Sequence, residues 1–123
     1  MTLHLPDDMV AAVSLAARTR GQDANSLLAE LVGESLKLRQ VPGITFADGP
    51  AGRRARVEGT GIDVFEIVQT YIAEEGDRTQ LATAYHWLDE RQLEAALEYY
   101  RLFPDDVTPF LSNGDGSFGA AIE

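Results

Sequence analysis

The chain contains no cysteine, which excludes disulfide bonds, thiolate nucleophiles and cysteine-ligated zinc sites. It has only two histidines, His4 and His86, and their wide separation argues against a histidine-rich metal site. No run of 18 or more apolar residues occurs, so no membrane-spanning helix is expected. The first residues show no basic region followed by an apolar run, so no signal peptide is expected. We therefore expect a cytoplasmic protein with no metal and no other cofactor.

Basic residues are scarce in the second half of the chain. The 123 residues have a net charge of −10, and residues 62–123 hold thirteen acidic side chains against three basic ones. Residues 1–41 are nearly neutral, and residues 42–61 have a small positive excess. An acidic half of this kind repels nucleic acid and favours a basic partner. A solvated acidic face that only keeps the protein soluble is the alternative.

The N-terminal third of the chain has the pattern of one strand and two helices. Apolar and polar residues alternate over residues 1–5, which predicts a strand that ends at Pro6. Two amphipathic helices follow, separated by Gly21, and the second is capped by Asp23 or Asn25. A lone strand and two short helices cannot bury their apolar faces. We therefore expect a homodimer in which the two N-terminal strands pair.

The rest of the chain predicts a hairpin, three helices and a tail. Residues 44–57 alternate around a glycine-rich turn, which indicates a small β-hairpin. Each of the three helices begins with a capping signature: Asp63 with Glu66, Asp77 with Gln80, and Asp89 with Gln92. Little apolar material follows Pro104, so a flexible acidic tail is expected. The sequence thus predicts a mainly α protein with segments 1–41, 42–104 and 105–123.

The segment LHLPDDMVAAVSLAARTRGQDANSLLAELVGESL (3–36) resembles a ribbon-helix-helix domain. The shared features are an alternating strand ending in Leu-Pro, an acidic first helix, an Arg-Gly turn and a leucine-rich second helix. The resemblance implies an intertwined dimer that binds operator DNA, with Thr2 and His4 directed into the major groove. Backbone amides of Asn25 and Ser26 could hold a phosphate. Because Thr and His are poor base readers, a strand used only for dimerisation is the alternative.

The segment from residue 56 to residue 100 resembles the family known as domain of unknown function 433. The matching positions are Gly59, Thr60, Ile62, Trp87, Leu88, Ala96, Leu97 and Tyr99. The family's arginine is replaced by Gly61, so the role of that arginine does not carry over. The resemblance implies a compact helix-turn-helix-like module. It also implies an antitoxin of the VapB type, a kind that is encoded beside nuclease toxins with a PIN-like fold.

Two groups of residues are candidates for binding. Arg53, Arg54 and Arg56 form the only basic cluster, and they could contact phosphate, contact an acidic partner or shield an edge strand. The candidates for binding a basic toxin are six acidic residues and two apolar anchors near the C-terminus. They are Asp89, Glu90, Glu94, Glu98, Asp105, Asp106, Phe110 and Leu111.

The leading hypothesis is an antitoxin of a type II toxin–antitoxin system that also regulates its own transcription. Its N-terminal dimer would bind operator DNA, and its acidic half would neutralise a basic PIN-like nuclease. The alternatives are a dimeric interaction adaptor without DNA binding and a stand-alone transcriptional regulator. An enzyme is not expected, since the carboxylates lie at helix starts and on exposed faces, where they need no shifted pKa.

Overall fold

The computed structural model describes residues 4–50 and 52–111. It divides the chain into two compact units, Met1–Arg39 and Gln40–Glu123. The first unit holds helix α1 (Asp7–Arg20) and nearly all of helix α2 (Ala24–Gln40), whose last residue is the first residue of the second unit in the sequence. Three strands and four further helices follow, and no strand precedes α1 among the described residues.

The two N-terminal helices begin and end where local chemistry predicts. Asp7 and Asp8 lie in the first turn of α1, where the helix dipole favours negative charge. The helix ends at Gly21, whose φ of 66° is a left-handed conformation that glycine adopts without steric cost. Asp23 caps α2, because its carboxylate accepts a hydrogen bond of 3.1 Å from the backbone N–H of Ser26.

The predicted ribbon-helix-helix fold is wrong. All three strands lie after the two helices, and His4 and Leu5 adopt no strand conformation before α1. Residues 1–3, which include Thr2, lie outside the described residues. The physical reason is that alternation over five residues is a weak signal and that a strand needs a partner for its backbone hydrogen bonds. The sheet of this chain forms elsewhere, within the second unit.

The second unit starts with the predicted hairpin. Strand β1 (Ile44–Gly49) pairs antiparallel with β2 (Gly52–Val57), in a register that sets Ile44 opposite Val57. A third strand, β3 (Ile62–Asp63), adds to the other edge of β2. The sequence did not reveal β3, because two residues are too short for a visible alternation. The hairpin prediction is confirmed.

The three predicted helices of this unit are confirmed, and each begins at its predicted capping residue. They are α3 (Val64–Ala73), α4 (Arg78–Ala84) and α5 (Glu90–Leu102). Asp89 forms a reciprocal capping box with Gln92, and the backbone N–H of Asp63 donates to the carboxylate of Glu66 at 2.9 Å. The carboxylate of Asp77 accepts hydrogen bonds from the first-turn amides of α4. These helices pack on the sheet around the buried side chains of Val57, Ile67, Val68, Leu81, Ala96 and Tyr99.

The chain does not become a flexible tail at residue 105. Pro104 begins a short helix, α6 (Pro104–Val107), and a 3₁₀ helix spans Thr108–Phe110. Val107 and Leu111 are 2% and 4% exposed, so this segment closes the core of the second unit. Pro104 starts a helix here because a proline at the first helical position loses no hydrogen bond. Residues 112–123 of the predicted tail lie outside the described residues.

Candidate functional site

The predicted basic cluster on β2 is ion-paired with two acidic side chains of the same unit. Arg54 and Arg56 lie on one face of the strand, and both donate from Nε to the carboxylate of Asp63, at 2.5 Å and 2.9 Å. Asp63 is 4% exposed and is the one buried charged residue among those described. Arg53 lies opposite Asp48 in the hairpin and forms an ion pair of 3.2 Å with it. These arginines thus hold the hairpin and the start of α3 together.

The other predicted DNA contacts lie in the first unit. His4 and Asn25 line the same open pocket of about 330 Å³, whose remaining walls are mostly apolar. The backbone N–H of Ser26 donates to Asp23, so a carboxylate of the chain already occupies the place predicted for a phosphate. Thr2 lies outside the described residues. The structure therefore brings His4 and Asn25 together, away from the arginines in sequence and in a different unit.

Three predicted acidic residues form one edge of α5. Glu90, Glu94 and Glu98 are spaced one turn apart, whereas Leu93 and Ala96 on the inner face are buried. The three glutamates border an open groove of about 410 Å³. Its other lining residues are Gln40, Val41, Pro42, Arg91 and Ala95. Side chains with apolar stems beside a row of carboxylates are suited to a partner that is both basic and amphipathic.

A second groove lies on the other side of the same acidic edge. It has a volume of about 200 Å³, and Glu90, Glu94 and Arg78 line it together with apolar residues of α4 and α5. The apolar residues are Leu81, Ala82, Leu88, Leu93 and Leu97. Glu90 and Glu94 therefore form a ridge between two grooves. The stripe pattern of α5 predicts the ridge, but the grooves depend on packing against α4 and the chain near Val41.

Two of these glutamates have cationic neighbours. Glu94 forms an ion pair with Arg78 of α4. Arg101 donates hydrogen bonds of 2.9 Å and 2.6 Å to Glu98, and these bonds hold the pKa of the Glu98 carboxyl below its ordinary value. Both members of the second pair are exposed, so Glu98 stays ionised at neutral pH while its charge is partly balanced. Glu90 lies exposed in the first turn of α5.

The remaining predicted toxin contacts take part mainly in the fold. Asp89 caps α5, and its carboxylate accepts a hydrogen bond of 2.8 Å from the backbone N–H of Gln92. Asp106 accepts a hydrogen bond from the hydroxyl of buried Tyr99. Of the two apolar anchors, Leu111 is buried, and the ring of Phe110 packs against that of Phe65 at 5.8 Å. Asp105 is exposed. The proposed anchors are thus already used within the unit.

One exposed aromatic residue lies outside the set of predicted binding residues. Trp87 lies in the turn between α4 and α5 and is 60% exposed. Its ring lies 5.5 Å from that of Tyr85 and 5.1 Å from that of His86. The neighbouring Leu88 points inward and is 8% exposed. No sequence signal separates this exposed indole from a buried aromatic residue, because its exposure depends on how α4 and α5 pack.

The first unit presents a broad apolar surface. Its described residues bury only Ala17 and Leu27, whereas eight large apolar side chains are between 37% and 58% exposed. They are Leu5, Met9, Val10, Leu15, Leu31, Val32, Leu36 and Leu38. Monomeric proteins seldom leave so many large apolar side chains in water, and surfaces of this kind mark interaction sites.

The comparisons with known proteins identify no relative. A scan against protein-family models finds no match, and searches of curated proteins and of solved structures also find none. Within residues 4–50 and 52–111, no group of three or more His, Asp or Glu side chains is placed to hold a metal ion. In that same part of the chain, no helix has the length and apolar character that a membrane crossing requires.

Proposed function

We propose that the chain is a homodimeric binding protein of the antitoxin kind, whose second unit captures a basic protein. The observation that carries this proposal is the ridge of Glu90 and Glu94 on α5, continued by Glu98 and flanked by two grooves with apolar walls. Carboxylates in such a row attract a cationic partner over a distance, while the grooves offer apolar surface for tight contact. Binding would cover the substrate-binding surface of the partner, and this inhibition requires no catalytic activity of the chain.

The charge distribution supports a protein partner over nucleic acid. Residues 62–123 have a net charge of −10, so phosphate backbones are repelled from the second unit. The ion pairs of Arg54 and Arg56 with Asp63 engage N–H groups that a phosphate would otherwise bind. This observation favours the adaptor alternative over a transcriptional regulator. Operator binding and autoregulation stay predictions.

The identity of the basic partner depends on the resemblance of residues 56–100 to the domain of unknown function 433 family. That resemblance suggests a nuclease toxin with a PIN-like fold, which cleaves RNA and therefore has a positively charged substrate surface. An acidic ridge has the right charge to compete with RNA for such a surface. The same geometry also suits an adaptor that binds another basic protein.

Self-association is proposed through the two helices of the first unit. The described residues of this 39-residue unit bury only Ala17 and Leu27, a core too small to be stable by itself. A second copy can cover the exposed residues of the apolar stripes, such as Met9, Val10, Leu31, Val32 and Leu36, with an identical surface. Residues 1–41 are close to neutral, so two copies meet there without the repulsion that their acidic halves would create.

The proposal is tested with two charge-matched variants of the full chain. One carries Glu90→Lys and Glu98→Lys on the ridge side of α5, and the control carries Glu74→Lys and Glu75→Lys at the end of α3. Each variant changes the net charge from −10 to −6. Each is co-expressed with the protein encoded by the neighbouring gene. We expect the control to bind that protein and relieve its growth arrest, and the ridge variant to fail at both.

Two results would contradict the proposal in different ways. If both variants lose binding equally, overall charge and not the α5 surface determines capture. If the neighbouring protein binds but causes no growth arrest when expressed alone, the adaptor alternative replaces the antitoxin function. Circular dichroism of both variants shows whether the fold is retained, so that a loss of binding is not a loss of structure.

A further inference from the structure

Trp87 combines exposure with a fixed position. Among the described residues of the second unit, it is the one large apolar side chain with most of its surface in solvent. Fully exposed tryptophan is unfavourable in water, because the indole is the largest apolar side chain. An exposed indole of this kind has the properties of an interface anchor.

The turn that carries Trp87 is held at both ends. The backbone N–H of Leu88 donates to the carbonyl of Tyr85 at 2.9 Å, and the side chain of Leu88 is buried in the core. The Tyr85 hydroxyl lies 3.5 Å from the hydroxyl oxygen of Thr70 on α3. On the C-terminal side, the capping box of Asp89 fixes the start of α5. The indole is thus presented in a defined place, which lowers the entropy lost when a partner binds.

The charges around Trp87 select the kind of group that can bind it. In the sequence, Asp89 and Glu90 follow Trp87 within three positions and precede the nearest lysine or arginine, Arg91. The face of an indole is negative and attracts cations, and an arginine guanidinium also stacks flat on it. A carboxylate beside the ring strengthens this preference for a cation and weakens binding of phosphate.

We propose that Trp87 is the contact point for an arginine side chain of the basic partner, with Asp89 and Glu90 supplying negative charge beside it. This inference depends on the proposed function, since it names the partner group that the acidic unit recognises. It also predicts a preference between two cationic side chains, which the charge of the ridge alone does not predict. Arginine must bind better than lysine, because only the guanidinium both stacks and carries charge.

The test uses the full chain and two synthetic peptides of equal length and charge, one rich in arginine and one rich in lysine. Trp87 is the single tryptophan, so its fluorescence reports directly on this position. We expect the arginine peptide to quench or shift the emission and to bind more tightly in calorimetry. Trp87→Leu should weaken binding of the arginine peptide by about fivefold and remove its advantage over the lysine peptide.

A matched control is available in Leu15, which is 58% exposed in the first unit, close to the 60% of Trp87. Leu15→Ala should leave both peptide affinities unchanged. If the arginine peptide binds without any change in Trp87 emission, the inference fails and the acidic ridge remains as the binding surface. If neither peptide binds at low ionic strength, the proposed function fails as well. If a single-stranded oligonucleotide quenches Trp87 emission and binds more tightly than the arginine peptide, the indole serves base stacking and the inference is overturned.

Discussion

The hydroxyl of Tyr99 donates a hydrogen bond of 2.5 Å to the carboxylate of Asp106. Tyr99 is fully buried in α5, and Asp106 belongs to α6, so this bond ties the C-terminal segment to the centre of the second unit. Val107 and Leu111 bury their side chains in the same core cluster as Tyr99. Residues 105–111, which the sequence predicted as part of a flexible tail, therefore belong to the fold.

The Tyr99 bond should contribute measurably to stability. We expect Tyr99→Phe to lower the free energy of unfolding by about 1–2 kcal/mol, because a hydrogen bond to a charged acceptor is lost. Tyr100→Phe on the same helix is the control, and its effect should be smaller. Urea unfolding followed by circular dichroism measures both. Equal effects of the two changes would show that the Tyr99 bond contributes no more than a half-buried tyrosine hydroxyl.

Among the ion-pairing carboxylates of residues 4–50 and 52–111, Asp63 should contribute most to the stability of the fold. Asp63→Asn keeps a residue that can cap α3 but leaves Arg54 and Arg56 without their counter-charge, so we expect a loss of about 3 kcal/mol. Asp48→Asn removes the exposed partner of Arg53 and should cost less than about 1 kcal/mol. Thermal unfolding of the two variants compares them. Similar losses would mean that the Asp63 network is no stronger than a surface pair.

A strained residue lies at the end of α3. Glu75 has a φ of 55°, the only positive value for a non-glycine residue among those described, whereas Glu74 has a φ of −92°. Glu75→Gly should stabilise the protein by up to about 1 kcal/mol, because glycine adopts this conformation without a steric penalty. Glu74→Gly, the control, should give no stabilisation. A lower melting temperature for Glu75→Gly would contradict this expectation.

Self-association should depend on the apolar stripe of α2, which includes Leu31, Val32 and Leu36, and not on exposure alone. Leu36 belongs to this stripe and is 56% exposed, while Leu15 lies off the apolar stripe of α1 and is 58% exposed. We expect Leu36→Gln to shift the protein from dimer to monomer in sedimentation velocity and Leu15→Gln to leave the dimer intact. A wild-type chain that remains monomeric at all concentrations would rule out the proposed dimer.

Local chemistry accounts for the parts of the fold that the sequence predicts. Capping residues such as Asp63 and Asp89 act within one helical turn, and the glycine-rich turn of the hairpin fixes the pairing of its own two strands. These interactions are encoded by neighbours in the chain. The same reasoning failed over residues 1–5, since five alternating residues do not specify a partner strand.

The candidate site was predicted only in part, because its properties depend on contacts between distant residues. The acidic edge of α5 follows from the helical spacing of Glu90, Glu94 and Glu98. The pairing of Arg54 and Arg56 with Asp63 does not, since it requires the register between β2 and β3. The exposure of Trp87 also depends on how α4 and α5 pack, so the sequence could not separate it from core aromatics such as Tyr99.

The most direct test of the central claim is the rate at which the chain associates with the basic protein encoded by the neighbouring gene, measured by stopped flow over a range of ionic strengths. The account predicts that Glu90→Lys with Glu98→Lys slows association on the order of tenfold at low salt and weakens its salt dependence. Glu74→Lys with Glu75→Lys, with the same net charge, should have a much smaller effect. Equal association rates and equal salt dependence for the two variants would contradict the assignment of capture to the α5 ridge.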